Sequence, residues 1–446
     1  MQFDRIMGYS MTAIVALVLL VAPWLFGAWE AWYFWPFAGL IFLVTAGLGL
    51  RLLLSARVGV KRLSLTPELG GLVLCWVPFL AYALIRGLQA PVRMDAERSV
   101  LLHGTAFLLT LAVVAGIDER SRRWLAALLP WNLFLLGAYG IGNHFLYHNA
   151  KVLWVPGFTQ YQQGYFRATG TYFCPDHFAG LMELGLCLAV SVMAYRGTAG
   201  WRRAGMLALA WVSVTGIILS KSRGGGIVLL VILVLALTWG LVTWSGRRRW
   251  IIRIAFAALA VCGMVLILAA GTRYMHRFMQ YPWRQFEQSD RYQMTAAALR
   301  GWKMAPVFGV GPGMHQNIWP HIAATGDGDR ARGIWPRNLN NSFHSYEAHN
   351  DWVQLLEEYG VAGFLLFLLA AGMTWRHIRR LAVSGEPAAV AALLALGAMA
   401  VHSLGDFNLQ IPATTWLLAL MVAFGIASGN DRDRRGEAMT VGRGSG

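Results

Sequence analysis

Runs of about 20 mostly apolar residues recur along this chain, each long enough to cross a bilayer core as a helix. About twelve are present, at roughly 9–27, 30–50, 69–86, 100–117, 124–146, 176–195, 204–220, 225–245, 250–271, 353–375, 386–402 and 412–428. In lipid a backbone must satisfy its own polar groups, so the expected fold is an all-α polytopic integral membrane protein. Composition agrees. Of the 446 residues, 57% are hydrophobic and only 13% charged, whereas a soluble domain carries about 25% charged residues.

The formal net charge is +16, and its placement excludes the obvious inference of nucleic-acid binding. Arg51, Arg57, Lys61 and Arg62, then Arg120, Arg122 and Arg123, Arg196, Arg202 and Arg203, Arg247 to Arg249, and Arg376, Arg379 and Arg380 fall in every second loop. Arg432, Arg434 and Arg435 extend the series into the tail. Short basic loops signal topology and meet anionic lipid. With positive charge inside, both termini are expected in the cytoplasm. Arg86, Arg93 and Arg98 depart from the pattern, being basic yet assigned outside.

This orientation divides the chain into spans 1–9 over 1–271, an outward loop domain at 272–352, spans 10–12 over 353–428 and a basic cytoplasmic tail at 429–446. The longer outward connections are 87–99, 147–175 and 272–352. In a bacterium they would face the periplasm, which holds no ATP or nucleotide sugar, so a transferase there needs a lipid-carried donor. Met1 to Arg5 lead directly into the first span without a cleavable signal. Cys75, Cys174, Cys187 and Cys262 form no CxxC, so neither a zinc site nor a redox pair is indicated.

Three polar features converge on the outer side. Ser220-Lys221-Ser222-Arg223-Gly224-Gly225-Gly226 turns between two spans; charge at such a place calls for an anionic partner, and the glycines would let backbone approach a ligand. A plain interfacial turn with snorkelling side chains is the alternative. Second, Asp290-Arg291 opens an alanine-rich helix lasting to about Lys303 and stopped before Pro306, placing a forked guanidinium where a helix N-terminus already favours an anion. Third, His349 ends the polar segment and can exchange protons near neutral pH. His344 and Glu347 lie close to it, but HxxExH is not the HExxH spacing of a helical zinc site, and no metal is expected. Gly309-Val-Gly-Pro-Gly313 lacks the Lys-Ser/Thr of a phosphate loop and is expected to be a turn.

Ser222-Arg223-Gly224, Arg291 followed by Pro306-x-x-Gly309-x-Gly311-x-Gly313, and His349-Asn350 leading to Gln354, Glu358, Gly360 and Gly363 together resemble the O-antigen ligase family. That superfamily also holds O-antigen polymerases and protein O-oligosaccharyltransferases. The resemblance is strongest over about 165–411. It includes Gly170-Thr-Tyr-Phe-Cys-Pro-Asp176, where asparagine is more usual at the last position, and His402-Ser-Leu-Gly-Asp406, often found in polymerase-like members. It implies a C-type glycosyltransferase without cofactor or metal, acting at the periplasmic face of the inner membrane. The implied donor is an undecaprenyl-diphosphate-linked glycan and the implied acceptor a lipid A–core hydroxyl, joined with inversion in lipopolysaccharide biosynthesis. By the same resemblance His349 is the catalytic base and Arg223 and Arg291 bind the donor diphosphate, with Lys221 as a third contact. Asp176, Glu183, His344, Tyr346, Asn350 and Asp406 are expected as supporting groups. Asp176 and Glu183 lie seven apart and so on one helical face, to orient Arg223 or to meet a neighbouring helix. Tyr165, Tyr172, Trp319, Trp335 and Tyr346 suit a membrane-interface belt as well as sugar stacking.

Two alternatives stand beside the ligase. A polymerase of the same superfamily differs only in acceptor. A lipid or polysaccharide transporter or flippase would suit about twelve spans, but carriers usually show two related halves. Here the polar residues gather in one outer loop.

Overall fold

The computed structural model describes residues 2–57, 67–147, 167–195, 197–243, 290–323 and 344–443, together with Trp250. Among them the long elements are α1 (Gln2–Val21), α2 (Ala31–Arg57), α3 (Pro67–Leu88), α4 (Arg93–Gly116), α5 (Glu119–Tyr147), α6 (Pro175–Ala194), α7 (Gly200–Ser220) and α8 (Arg223–Thr243). Two shorter helices follow, α9 (Asp290–Met304) and α10 (His315–Ala323), then α11 (Asp351–Val383), α12 (Pro387–His402) and α13 (Pro412–Arg443). No strand occurs among the described residues.

Nine described helices are long and apolar enough to cross a membrane, and Arg223–Leu235 and Pro387–His402 are shorter apolar helices. Nine and two account for eleven of the expected stretches; that at 250–271 lies outside the described residues, as do 272–289, Cys262, Tyr165 and Trp335. The protein is a multi-pass helical membrane protein. Leu43, Leu53, Leu74, Leu84, Leu230 and Leu365 stand exposed on its outside, an apolar surface that suits lipid rather than water. Buried charges and hydroxyls gather instead at one end of the bundle, where α6, α8, α11 and α13 begin and α7 and α12 finish.

Two of the three basic residues that break the charge pattern, Arg86 and Arg98, have structural partners. Arg86 donates to the carbonyls of Phe308 (3.1 Å) and Gly309 (2.9 Å). Arg98 lies 4.4 Å over the Trp29 ring and donates to the Trp29 carbonyl at 2.5 Å. These ties use charge to close loops, so Arg86 and Arg98 need not report topology.

The segment after α9 locks into a kink in α11. At Gly360 the helix backbone turns to φ +64° and ψ −176°, a conformation open to glycine. Val361 and Ala362 donate to the carbonyls of Pro306 (2.9 Å) and Val307 (3.0 Å), while Val310 and Gly311 donate to those of Glu357 (3.0 Å) and Glu358 (2.9 Å). A Cβ on Gly309 would come 2.2 Å from the Glu358 carbonyl oxygen. The 309–313 glycines therefore form a turn seated on a membrane helix, in keeping with the sequence reading.

Candidate active site

Asp351 organises the end of the bundle that carries the polar groups. Its Oδ2 accepts from Ser403 Oγ (2.6 Å) and Leu409 N–H (3.1 Å), and its own N–H donates to the Ser403 carbonyl at 3.0 Å. Asn350 caps α11 by accepting from Val353 N–H at 3.1 Å and donates to the Leu404 carbonyl at 2.9 Å. The loop between α12 and α13 is thereby latched to the start of α11, bringing Asp406 under His349.

His349 adopts φ +52°, a left-handed conformation that costs a non-glycine residue of order 1–3 kcal/mol. Its Nδ1 lies 3.2 Å from Asp406 Oδ1, and its ring stands edge-on to Phe407 at 4.6 Å. A carboxylate can only accept, so Nδ1 donates and Nε2 keeps its lone pair. Burial disfavours the imidazolium and lowers the His349 pKa, outweighing the support it receives from Asp406. The ring is therefore a neutral base near pH 7.

Asp406 is completely buried. It also accepts from Phe407 N–H at 3.0 Å and faces Arg291 Nη2 at 3.3 Å, His177 Nε2 at 3.6 Å and His402 Nε2 at 4.0 Å. Burial opposes its charge, but the Arg291 charge, the His349 bond and the nearby His177 ring prevail and hold the carboxyl well below its usual range.

Arg291 is placed by the start of α9, whose span Asp290–Met304 agrees with the helix read from sequence. Nη2 meets Asp176 Oδ2 at 2.6 Å as well as Asp406, and Nη1 donates to the Gly405 carbonyl. Burial works against the guanidinium charge, yet Asp406 and Asp176 more than restore it. About a third of the side chain stays exposed (36%), leaving it a face for an incoming anion.

Arg223 begins α8 and Lys221 ends α7 in a left-handed turn at φ +52°. Both are half-buried. Ser222 between them is buried, accepts from Gly225 N–H at 3.1 Å and hydrogen-bonds Asp176. The turn is thus joined to the Asp176–Arg291 pair. Two of its glycines take part in helix packing. A Cβ on Gly224 would sit 2.7 Å from the His402 ring, and one on Gly225 2.9 Å from the Ala179 Cβ. They let α8 pack closely on α12 and α6.

Glu183 makes a contact with a neighbouring helix, His402 Nδ1 on α12 at 2.7 Å, both groups fully buried. His344 and Tyr346 are exposed and meet edge-on at 5.1 Å, apart from the Asp406 cluster. Three members of the cluster were given no role from sequence, although His402 opens the stretch that ends at Asp406. Arg167 donates to Asp176 Oδ1 at 2.5 Å, and His177 and His402 face Asp406. His402 carries a legible signal, lying four residues before Asp406; Arg167 lies in a stretch without periodicity.

Cys174, His177 and Asp406 place one donor atom each within 4.8 Å of one another. Arg291 already pairs with Asp406, and burial, with the charges of Asp176 and Asp406, pushes the Cys174 thiol up to about 12.

Residues 208–368 match the family model described as O-antigen ligase. This stretch belongs to the O-antigen ligase family. The ligase-family match contains Lys221, Arg223, Arg291 and His349, while Arg167, Asp176, His402 and Asp406 lie outside it. The match over this stretch supports the O-antigen ligase and polymerase superfamily, whose general activity is polysaccharide joining by glycosyl transfer. No curated protein matches the chain.

Proposed function

We propose that this protein is an O-antigen ligase of the bacterial inner membrane. It would transfer a glycan from undecaprenyl diphosphate to a lipid A–core hydroxyl at the periplasmic face, with both termini in the cytoplasm. The observation that carries the reading is the contact of Asp406 with both His349 and Arg291: one carboxylate orients a neutral base and braces a guanidinium that keeps an open face.

In this mechanism His349 Nε2 takes the proton from the acceptor hydroxyl. The oxygen attacks the anomeric carbon opposite the diphosphate, the new C–O bond forms as the glycosyl–phosphate bond breaks, and the anomeric centre inverts. Undecaprenyl diphosphate leaves with the bonding electron pair. Its added charge is taken up by Arg291 and Arg223, with Lys221 in support, without a metal ion. General-base assistance by a positioned imidazole contributes roughly 10²–10⁴-fold. Asp176 and Asp406 hold the machinery in place, and Glu183 acts only at a distance through His402.

The test is reconstitution of the purified protein with undecaprenyl-diphosphate glycan, lipid A–core and EDTA. Transfer to core, abolished in Arg223→Ala, Arg291→Ala and His349→Ala, is the expected result. Growth of longer lipid-linked chains instead would make it a polymerase. Movement of lipid between leaflets without transfer would make it a flippase, and a product of retained configuration would remove direct displacement.

A further inference from the structure

Arg167 is buried, only 5% exposed. Its Nε donates to the Ser220 carbonyl at 2.7 Å, and its Nη2 to Asp176 Oδ1 at 2.5 Å. Next to it, Ala168 N–H donates to the Leu219 carbonyl at 2.9 Å. The 167–168 segment thus closes the C-terminal end of α7, where helix carbonyls lack intrahelical partners and the dipole favours a cation. The turn that begins there delivers Lys221 and Arg223. The other branch of the guanidinium reaches Asp176, whose second oxygen holds Arg291 at 2.6 Å.

Arg167 is therefore bonded on one side to the turn bearing Arg223 and on the other, through one carboxylate, to Arg291. The two elements are far apart in sequence, and the Arg167 link adds a rigid second tie to the one that Ser222 makes to Asp176. We propose that Arg167 is a positioning residue that fixes the spacing of the Arg223 and Arg291 guanidiniums before an anionic donor arrives, and does so through Asp176. The inference rests on the diphosphate reading above.

The residue type fits the task. A guanidinium presents N–H donors in a rigid planar fork, so Nε and Nη2 can serve two acceptors at a fixed angle. An ammonium is a point charge on a flexible stem and cannot reproduce both bonds. Fixing two cations in advance spares the donor the cost of ordering them, which appears as affinity.

The test is binding of farnesyl diphosphate to the purified full chain in detergent, measured by calorimetry for wild type, R167K, D176N and the double variant. Each protein is first checked for wild-type thermal unfolding. R167K keeps the charge and removes the fork, so affinity should fall about tenfold, as loss of one charge-assisted bond does. D176N removes a negative charge and a linkage together, and its own effect can have either sign. In its background, however, R167K should cost nothing further, because the connection to Arg291 is already cut. Wild-type affinity in R167K, or the same tenfold loss in the D176N background, overturns the proposal while leaving diphosphate binding intact. Failure of the wild type to bind the probe would instead remove the diphosphate reading, and the proposal with it.

Discussion

His349 and Asp406, 57 residues apart in sequence, meet at 3.2 Å through Nδ1 and Oδ1, and the carboxylate has no exposure to solvent. The hydrogen bond fixes which imidazole nitrogen carries the proton and leaves Nε2 as the basic atom.

The rate of glycan transfer should rise with pH along an acid limb set by His349. That limb should lie below the ordinary imidazole value of about 6.5, because burial lowers the His349 pKa. Below the pKa the ring is protonated and cannot accept; above it the rate is level. In Asp406→Asn the support for the imidazolium is lost, so the limb should move to still lower pH and the plateau should fall roughly 10²-fold. A pH profile of initial rates in both proteins decides this. An unmoved limb would separate the rate from His349.

Arg291→Lys should be nearly as damaging as Arg291→Ala. The guanidinium meets Asp176, Asp406 and the Gly405 carbonyl at once, and an ammonium cannot span the three while facing a ligand. Both variants should lose at least about 10² in kcat, the usual cost of removing a donor that meets developing charge. Steady-state kinetics with the reconstituted donor would read it, and a lysine variant close to wild type would exclude a forked contact.

Glu347 should make stability fall as pH rises. Burial, then the nearby Glu358 charge, raises its pKa to about 7 from the ordinary glutamate value of 4.5. Between these two values the folded chain holds a proton that the unfolded chain has released, so stability is full below pH 4.5 and declines towards pH 7. The loss is on the order of 2–3 kcal/mol for this single group. Glu347→Gln should flatten the decline, as measured by thermal unfolding in detergent at pH 5 and 7.5, pH values chosen to sit about either side of the change.

Gly224→Ala should impair activity more than folding. The added methyl would meet the His402 ring at 2.7 Å, and His402 in turn faces Glu183 and Asp406. Displacing α8 or the ring disturbs both Arg223 and the carboxylate under His349. A cost of about 1–3 kcal/mol is usual for overpacking. Comparing kcat with the unfolding temperature separates the two effects, and wild-type kcat would show that the contact is not transmitted.

The bundle and the polar centre at one of its ends were legible because they rest on local signals. Apolar runs of span length mark α1 to α8 and α11 to α13 whichever way they pack, and an alanine-rich run opened by Asp290-Arg291 is a helix by composition alone. Contacts between helices leave no such trace. The glycines at 224 and 225 suit a ligand or a neighbouring helix equally well until α6 and α12 are in place. Arg86 and Arg98 look like misplaced topology signals until the Phe308, Gly309 and Trp29 carbonyls stand beside them. Arg167 has no periodicity or motif at all, and it is marked by bonds that reach across 9 and 53 residues.

The seam between the 306–311 turn and the kink of α11 is made of peptide groups facing peptide groups, with glycine at Gly309 and Gly360 where they come closest. The peptide-to-peptide bonds themselves involve no side chain, and Arg86 and Tyr82 reinforce them from α3 by donating to the Phe308 carbonyl. A single methyl at either glycine would wedge the joint open. The joint is therefore most sensitive at these two positions, where the backbones leave no room for a side chain.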